Sequence, residues 1–205
     1  MRRTLILLVS SMAALAASCV ERAPQMSPAD RERVAEYISR EAPEPAHPLD
    51  VRFDNGVQLL GYALEPDTLV PGQSFTLTLY WKAERDLDDG WMLFTHIADG
   101  RNEDRRNCDA PGQPCVQQAV VREVYQPGRW QAGEYVRDVI RGTLQEDWNN
   151  DRATVYVGLW NGPHRMRILR GPNDGNNRVR VASVPVTTAP GARAQPAREP
   201  EVPQT

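Results

Sequence analysis

Hydrophobic and polar positions alternate most regularly where Phe75, Leu77, Leu79 and Trp81 interleave with Thr76, Thr78, Tyr80 and Lys82. A period of two predicts a strand with one buried and one wet face. Similar runs rich in Val, Leu, Ile, Tyr and Trp are Val51 to Phe53, Val57 to Leu64, Trp91 to Ala98, Val116 to Val124, Tyr135 to Leu144, Ala153 to Trp160, Arg165 to Leu169 and Arg178 to Val186, nine candidate strands in all. Turn formers separate them: Asp54-Asn55-Gly56, Pro71-Gly72, Asp89-Gly90, Pro127-Gly128 and Asn173-Asp174-Gly175. No helical pattern lies between the strands, so the crossovers that a parallel sheet needs are missing. The expected fold is all-β, an antiparallel sandwich of Ig-like or jelly-roll-like type over residues 49–187. About 140 residues bury roughly two thirds of their unfolded surface, enough for one core.

The pattern changes on either side of that block. Ser27-Pro28-Ala29-Asp30 supplies an N-cap, a proline at the first helical position and an acid in the first turn. A short helix is expected from there to about Glu41, with Val34, Tyr37 and Ile38 as a narrow apolar stripe. That helix either packs loosely on the domain or stands between it and a membrane; a partner-docking helix is the sharper alternative. Ala42 to Pro48 holds three prolines in seven residues, a stiff spacer. After Thr188 the composition of Ala, Pro, Arg, Glu and Gln predicts a disordered tail through residue 205.

At the start, Arg2 and Arg3 precede an apolar run from Leu5 to Ala17 that ends in Ala16-Ala17-Ser18-Cys19. This is the layout of a secretory signal, too short for the ~20 residues that cross a bilayer. Leu15 to Cys19 resembles a bacterial lipobox, which implies lipidation of Cys19, removal of residues 1–18 and a tether over 19–26. The alternative is ordinary cleavage after Ala16-Ala17-Ser18. Val20, where an Asp would retain the protein at the inner membrane in the enterobacterial pattern, points by resemblance to the outer membrane.

Removing Arg2 and Arg3 moves the formal charge from -3 to -5. A mildly acidic chain with scattered arginines lacks the clustered basic surface of a nucleic-acid binder. Assigning Cys19 to lipid leaves Cys108 and Cys115 to pair in an oxidising compartment across a loop containing Pro111, Gly112 and Pro114. A catalytic dithiol would need a closer Cys-x-x-Cys pair at a helix start.

Chemistry is sparsely signalled. Gly-x-Ser-x-Gly, His-Glu-x-x-His, phosphate-loop and dinucleotide fingerprints are absent, so no catalytic residue, cofactor or metal is assigned. His96 sits on a predicted strand face with Met92 and Phe94, where a packed histidine competes with a ligand-binding one. Asp147-Trp148-Asn149-Asn150-Asp151 begins like a calcium loop but has Arg152 where the glycine belongs and Gly158 where the final Glu belongs. It reads as a strand connector, as does Asn173 to Asn177. Among five tryptophans Trp148 is the one expected to be exposed, and with His96 it forms the expected ligand contact.

Gly61-Tyr62, Pro71-Gly72, Leu79-Tyr80-Trp81, Phe94-Thr95-His96-Ile97, Trp130-Gln131-Ala132-Gly133-Glu134 with Asp138, and Val157-Gly158-Leu159-Trp160 occur in an order that resembles the extracytoplasmic β-sandwich modules attached to mannosyltransferase-type membrane glycosyltransferases. The resemblance implies a sandwich outside the cytoplasm, near glycans, and transfers no catalytic residue. The expected function is a non-catalytic, lipid-anchored envelope protein that binds a glycan or an envelope protein. A glycan-active hydrolase without a recognisable motif, and a structural subunit of an envelope assembly, are the alternatives.

Overall fold

In the computed structural model, residues 26–99 and 119–187 are described in full and 104–107 by their backbone alone. Ser27 caps the first helix, α1 (Pro28–Val34), its Oγ accepting from the Asp30 amide at 3.1 Å. The helix ends well before Glu41. A 3₁₀ turn over Ala35–Tyr37 leads into β1 (Ile38–Ser39), which pairs with the strand at Tyr135 and Val136. A helix this short is marginal by itself, and burying Val34 while Tyr37 and Ile38 pack on the core decides the outcome. The segment expected to pack loosely is built into the sandwich.

Ten further strands follow among the described residues: β2 (His47–Phe53), β3 (Val57–Glu65), β4 (Ser74–Ala83), β5 (Met92–Ala98), β6 (Asp104–Asn107), β7 (Tyr135–Thr143), β8 (Arg152–Asn161), β9 (His164–Arg165), β10 (Ile168–Arg170) and β11 (Val179–Pro185). They form two antiparallel sheets, β1-β7-β4-β3-β2-β10 and β11-β8-β5-β6, with β9 alongside β8. The all-β sandwich expectation holds. Between the sheets lie Leu77, Leu79, Trp81, Val136 and Ile140 of the first, with Leu93, Ile97, Val155, Val157 and Leu159 of the second. Each fully buried aliphatic side chain contributes roughly 1.5–3 kcal/mol.

Two expected strands come out differently. Within Val116 to Val124, the described part from Val120 is helix α2 (Val120–Val124), with Val121 and Tyr125 buried one turn apart. Arg165 to Leu169 is divided between β9 and β10, because Met166 turns into the core and its amide bonds to the Leu159 carbonyl at 2.9 Å.

Candidate functional site

Strand alternation gives each sheet an inner and an outer face, and the two outer faces differ. On the six-stranded sheet β4 and β7 pair without a register break from Ser74↔Thr143 to Lys82↔Tyr135. Their outward positions are Ser74, Thr76, Thr78, Tyr80 and Lys82 on β4, and Tyr135, Arg137, Val139, Arg141 and Thr143 on β7; Ser74 and Arg141 are exposed and the other eight partly buried. The Lys82 Nζ lies 5.9 Å from the centre of the Tyr135 ring. The Arg137 guanidinium stands 5.3 Å over Tyr37 and donates to the Glu36 carbonyl at 3.2 Å. One margin of this face is covered by the proline spacer: a Cβ at Gly61 would lie 2.5 Å from both the His47 carbonyl oxygen and the Pro45 Cβ. Only glycine admits the chain there.

The outer face of the other sheet is closed. Met92, Phe94, His96 and Ala98 of β5 stand beside Trp160, Gly158, Tyr156 and Thr154 of β8. The expected grouping of His96 with Phe94 is present, their rings 5.0 Å apart, yet Phe94, His96 and Tyr156 are all buried. Arg165 lies 5.3 Å from the Phe94 ring centre and Arg178 4.5 Å from that of Tyr156. Asp174 holds Arg178 through a 2.5 Å contact to Nε and accepts from the Asn176 and Arg178 amides at 2.8 and 3.1 Å. Burial pushes the Asp174 carboxyl up, but the Arg178 guanidinium and these amides outweigh it, so the group ionises below its ordinary range. With the Asn173 side-chain Oδ1 accepting from the Gly175 amide and the Asn177 Oδ1 from the Ile168 amide, the oxygens of this segment serve the turn.

Trp148 departs from its expected role. It is 2% exposed and belongs to the core, while its neighbours Asp147 and Asn149 face solvent. The polarity of those neighbours suggested an outward loop; burying an indole, with 150–250 Å² of surface, outweighs it. Trp91 and Trp160 are the half-exposed tryptophans. For Trp160 the signal was available, since strict alternation along β8 puts it on the outer side.

Four titratable groups inside the fold are tied in pairs. Arg122 on α2 reaches between the sheets, its Nε and Nη2 donating to the Asp138 carboxylate on β7 at 3.0 and 2.9 Å and Nη2 also to the Thr95 hydroxyl on β5 at 2.8 Å. At the Trp130 to Glu134 corner, the Tyr125 hydroxyl donates to Glu134, which also accepts from the Gln131 amide at 2.9 Å. Burial, reinforced by Glu134, raises the Tyr125 phenol far above its usual range and keeps it protonated. Among the described residues no three His, Cys, Asp or Glu side chains gather as metal ligands would. Cys19, Cys108 and Cys115 lie outside the described residues.

No protein-family model matches this chain, and no curated protein does. Among solved structures it is similar to the crystal structure of the C-terminal domain of wzt, at 14% identity over 71% of this chain and 83% of that one, with a TM-score of 0.45. So distant a likeness carries no argument; the fold rests on this chain's own strand pairing.

Proposed function

We propose that this protein is a non-catalytic binding module of the bacterial envelope, lipid-anchored through Cys19 at the outer membrane, which contacts a glycan across the outer face of its six-stranded sheet. The observation that carries the reading is the composition of that face: hydroxyls, tyrosine rings and cationic side chains, partly exposed on two long central strands. Hydroxyl and guanidinium groups hydrogen-bond sugar oxygens, aromatic rings cover the apolar face of a pyranose, and strands hold such groups more rigidly than loops do. A protein partner is less well served. Protein interfaces have an apolar centre, whereas Leu169 is the one large apolar side chain strongly exposed among the described residues, and it lies on the β10 edge. The same scarcity counts against a structural subunit.

The test is a glycan array probed with the native protein and with a Thr78→Ala/Tyr80→Ala variant. Retention of one glycan class by the native protein, lost in a variant that melts at the same temperature, is expected. Uniform absence of retention would remove the glycan reading, and shortening of a bound glycan would remove the non-catalytic one. For the anchor, the intact mass of the membrane fraction should show a lipidated species beginning at Cys19.

A further inference from the structure

We infer that the glycan bound by this face is anionic, carrying carboxylate or phosphate groups, and that it lies along β7 with Arg137 and Arg141 as its charge contacts. The inference rests on the glycan reading above and adds the ligand's charge. The chain as a whole is acidic, at -3. The ten outward positions of β4 and β7 nevertheless hold three cations, Lys82, Arg137 and Arg141, and no carboxylate. Lys82 is the only lysine of the chain. Acids stand at the borders: Glu36 beside Arg137, with 3.7 Å between Oε2 and Nη2, Glu65 on β3, paired with Thr76, and Glu84 just past β4, which accepts from the Gln58 side chain beside Lys82. Arg137 keeps 42% of its side chain exposed despite that contact, and Arg141 is exposed.

The spacing suits an extended ligand. Arg137 and Arg141 are four residues apart on one strand, about 13 Å at ~3.3 Å per residue. Thr76 and Thr78 lie on the adjacent strand opposite Arg141 and Val139. A guanidinium offers paired donors that match a carboxylate or phosphate in a fixed plane, and the threonine hydroxyls donate to or accept from uncharged sugar oxygens between the charges.

Affinity electrophoresis of the full-length protein separates the possibilities, with gels containing polygalacturonate, phosphorylated mannan, neutral dextran or poly-glutamate. Retention by polygalacturonate or phosphorylated mannan over dextran is expected, and the stronger of the two identifies carboxylate or phosphate. Retention should fall as salt shortens the Debye length from ~10 Å at 0.1 M to ~3 Å at 1 M. Arg137→Gln and Arg141→Gln should each weaken binding about tenfold, with Arg137→Lys intermediate and the circular dichroism of every variant that of the native fold. Equal, salt-insensitive retention by dextran would overturn the anionic assignment and leave the glycan reading standing. Poly-glutamate retained as strongly as the glycans would overturn both, since the face would then read charge without sugar. Retention by none of the four, with the native protein folded, would also overturn both.

Discussion

The two outer faces of the sandwich are built on the same alternation and end in opposite states. Both sheets place aromatic rings and cations outward. On β5 and β8 the rings of Phe94 and Tyr156 are capped by Arg165 and Arg178, and Tyr156 has no exposed surface. On β4 and β7 the tyrosines and threonines stay partly exposed and Arg141 is exposed. The difference lies in what the neighbouring connections do. The turn from Asn173 to Arg178 is locked by Asp174 and brings Arg178 over the closed face, whereas the proline spacer touches the open face at Gly61, at its margin. A cation over a ring can therefore mark a sealed surface as readily as a binding one, and exposure decides between them.

The largest expected effect comes from the group that spans both sheets. Asp138 belongs to the strand of the open face, Thr95 to that of the closed one, and Arg122 bonds to both. Asp138 is fully buried, so Arg122→Met strands a carboxylate inside the protein. A loss of about 3–5 kcal/mol is expected, read as a lower urea midpoint at unchanged slope. Combining it with Asp138→Leu should recover much of the loss, because an apolar pair of similar volume tolerates the site. A loss of only a few tenths in the single variant would mean that the ion pair does not hold the sheets.

A matched pair of substitutions tests the faces directly. At Gly158 an added Cβ would lie 2.6 Å from Phe94 Cζ, 2.7 Å from Cε1 and 3.2 Å from the Asn177 carbonyl oxygen. Gly158→Ala should cost about 1–3 kcal/mol by overpacking. Thr78→Ala on the open face removes a half-exposed side chain and should change stability by no more than ~0.5 kcal/mol. Thermal melting of the two variants side by side is sufficient; similar losses would show that the open face is packed after all.

The strands of both faces were legible in the sequence because period-two alternation reports a one-sided core directly. Phe75 to Lys82 reads correctly residue by residue, and His96 was placed with its true neighbours. Whether an outer face is open was not legible, since that depends on turns distant in the chain: Arg178 reaches Tyr156 only after Asp174 fixes it. Trp148 was misjudged for a related reason, its polar neighbours describing the loop's surface and not the direction of the indole. In Val120 to Val124 the β-branched residues suggested a strand, while the partners that favour a helix, Asp138 and Thr95, lie 16 and 27 residues away.

The smallest effect expected concerns pH and the cap of the closed face. Burial raises the Asp174 carboxyl, yet its bonds from the Arg178 guanidinium and from the Asn176 and Arg178 amides outweigh that and bring it below its ordinary value. A carboxyl that ionises more readily folded than unfolded contributes stability above its unfolded value and loses that contribution as the pH falls through its folded one. The native protein should therefore weaken between about pH 5 and about pH 2, with Asp174 supplying part of the slope. Asp174→Asn should start lower at about pH 5 and show a shallower decline over the same window, read from urea midpoints at each pH. Because Asn cannot hold Arg178 by charge, Tyr156 should also become more accessible to fluorescence quenchers. Equal slopes with unchanged quenching would mean that packing alone keeps Arg178 over the ring, and that this face is closed by shape where the open face is defined by charge.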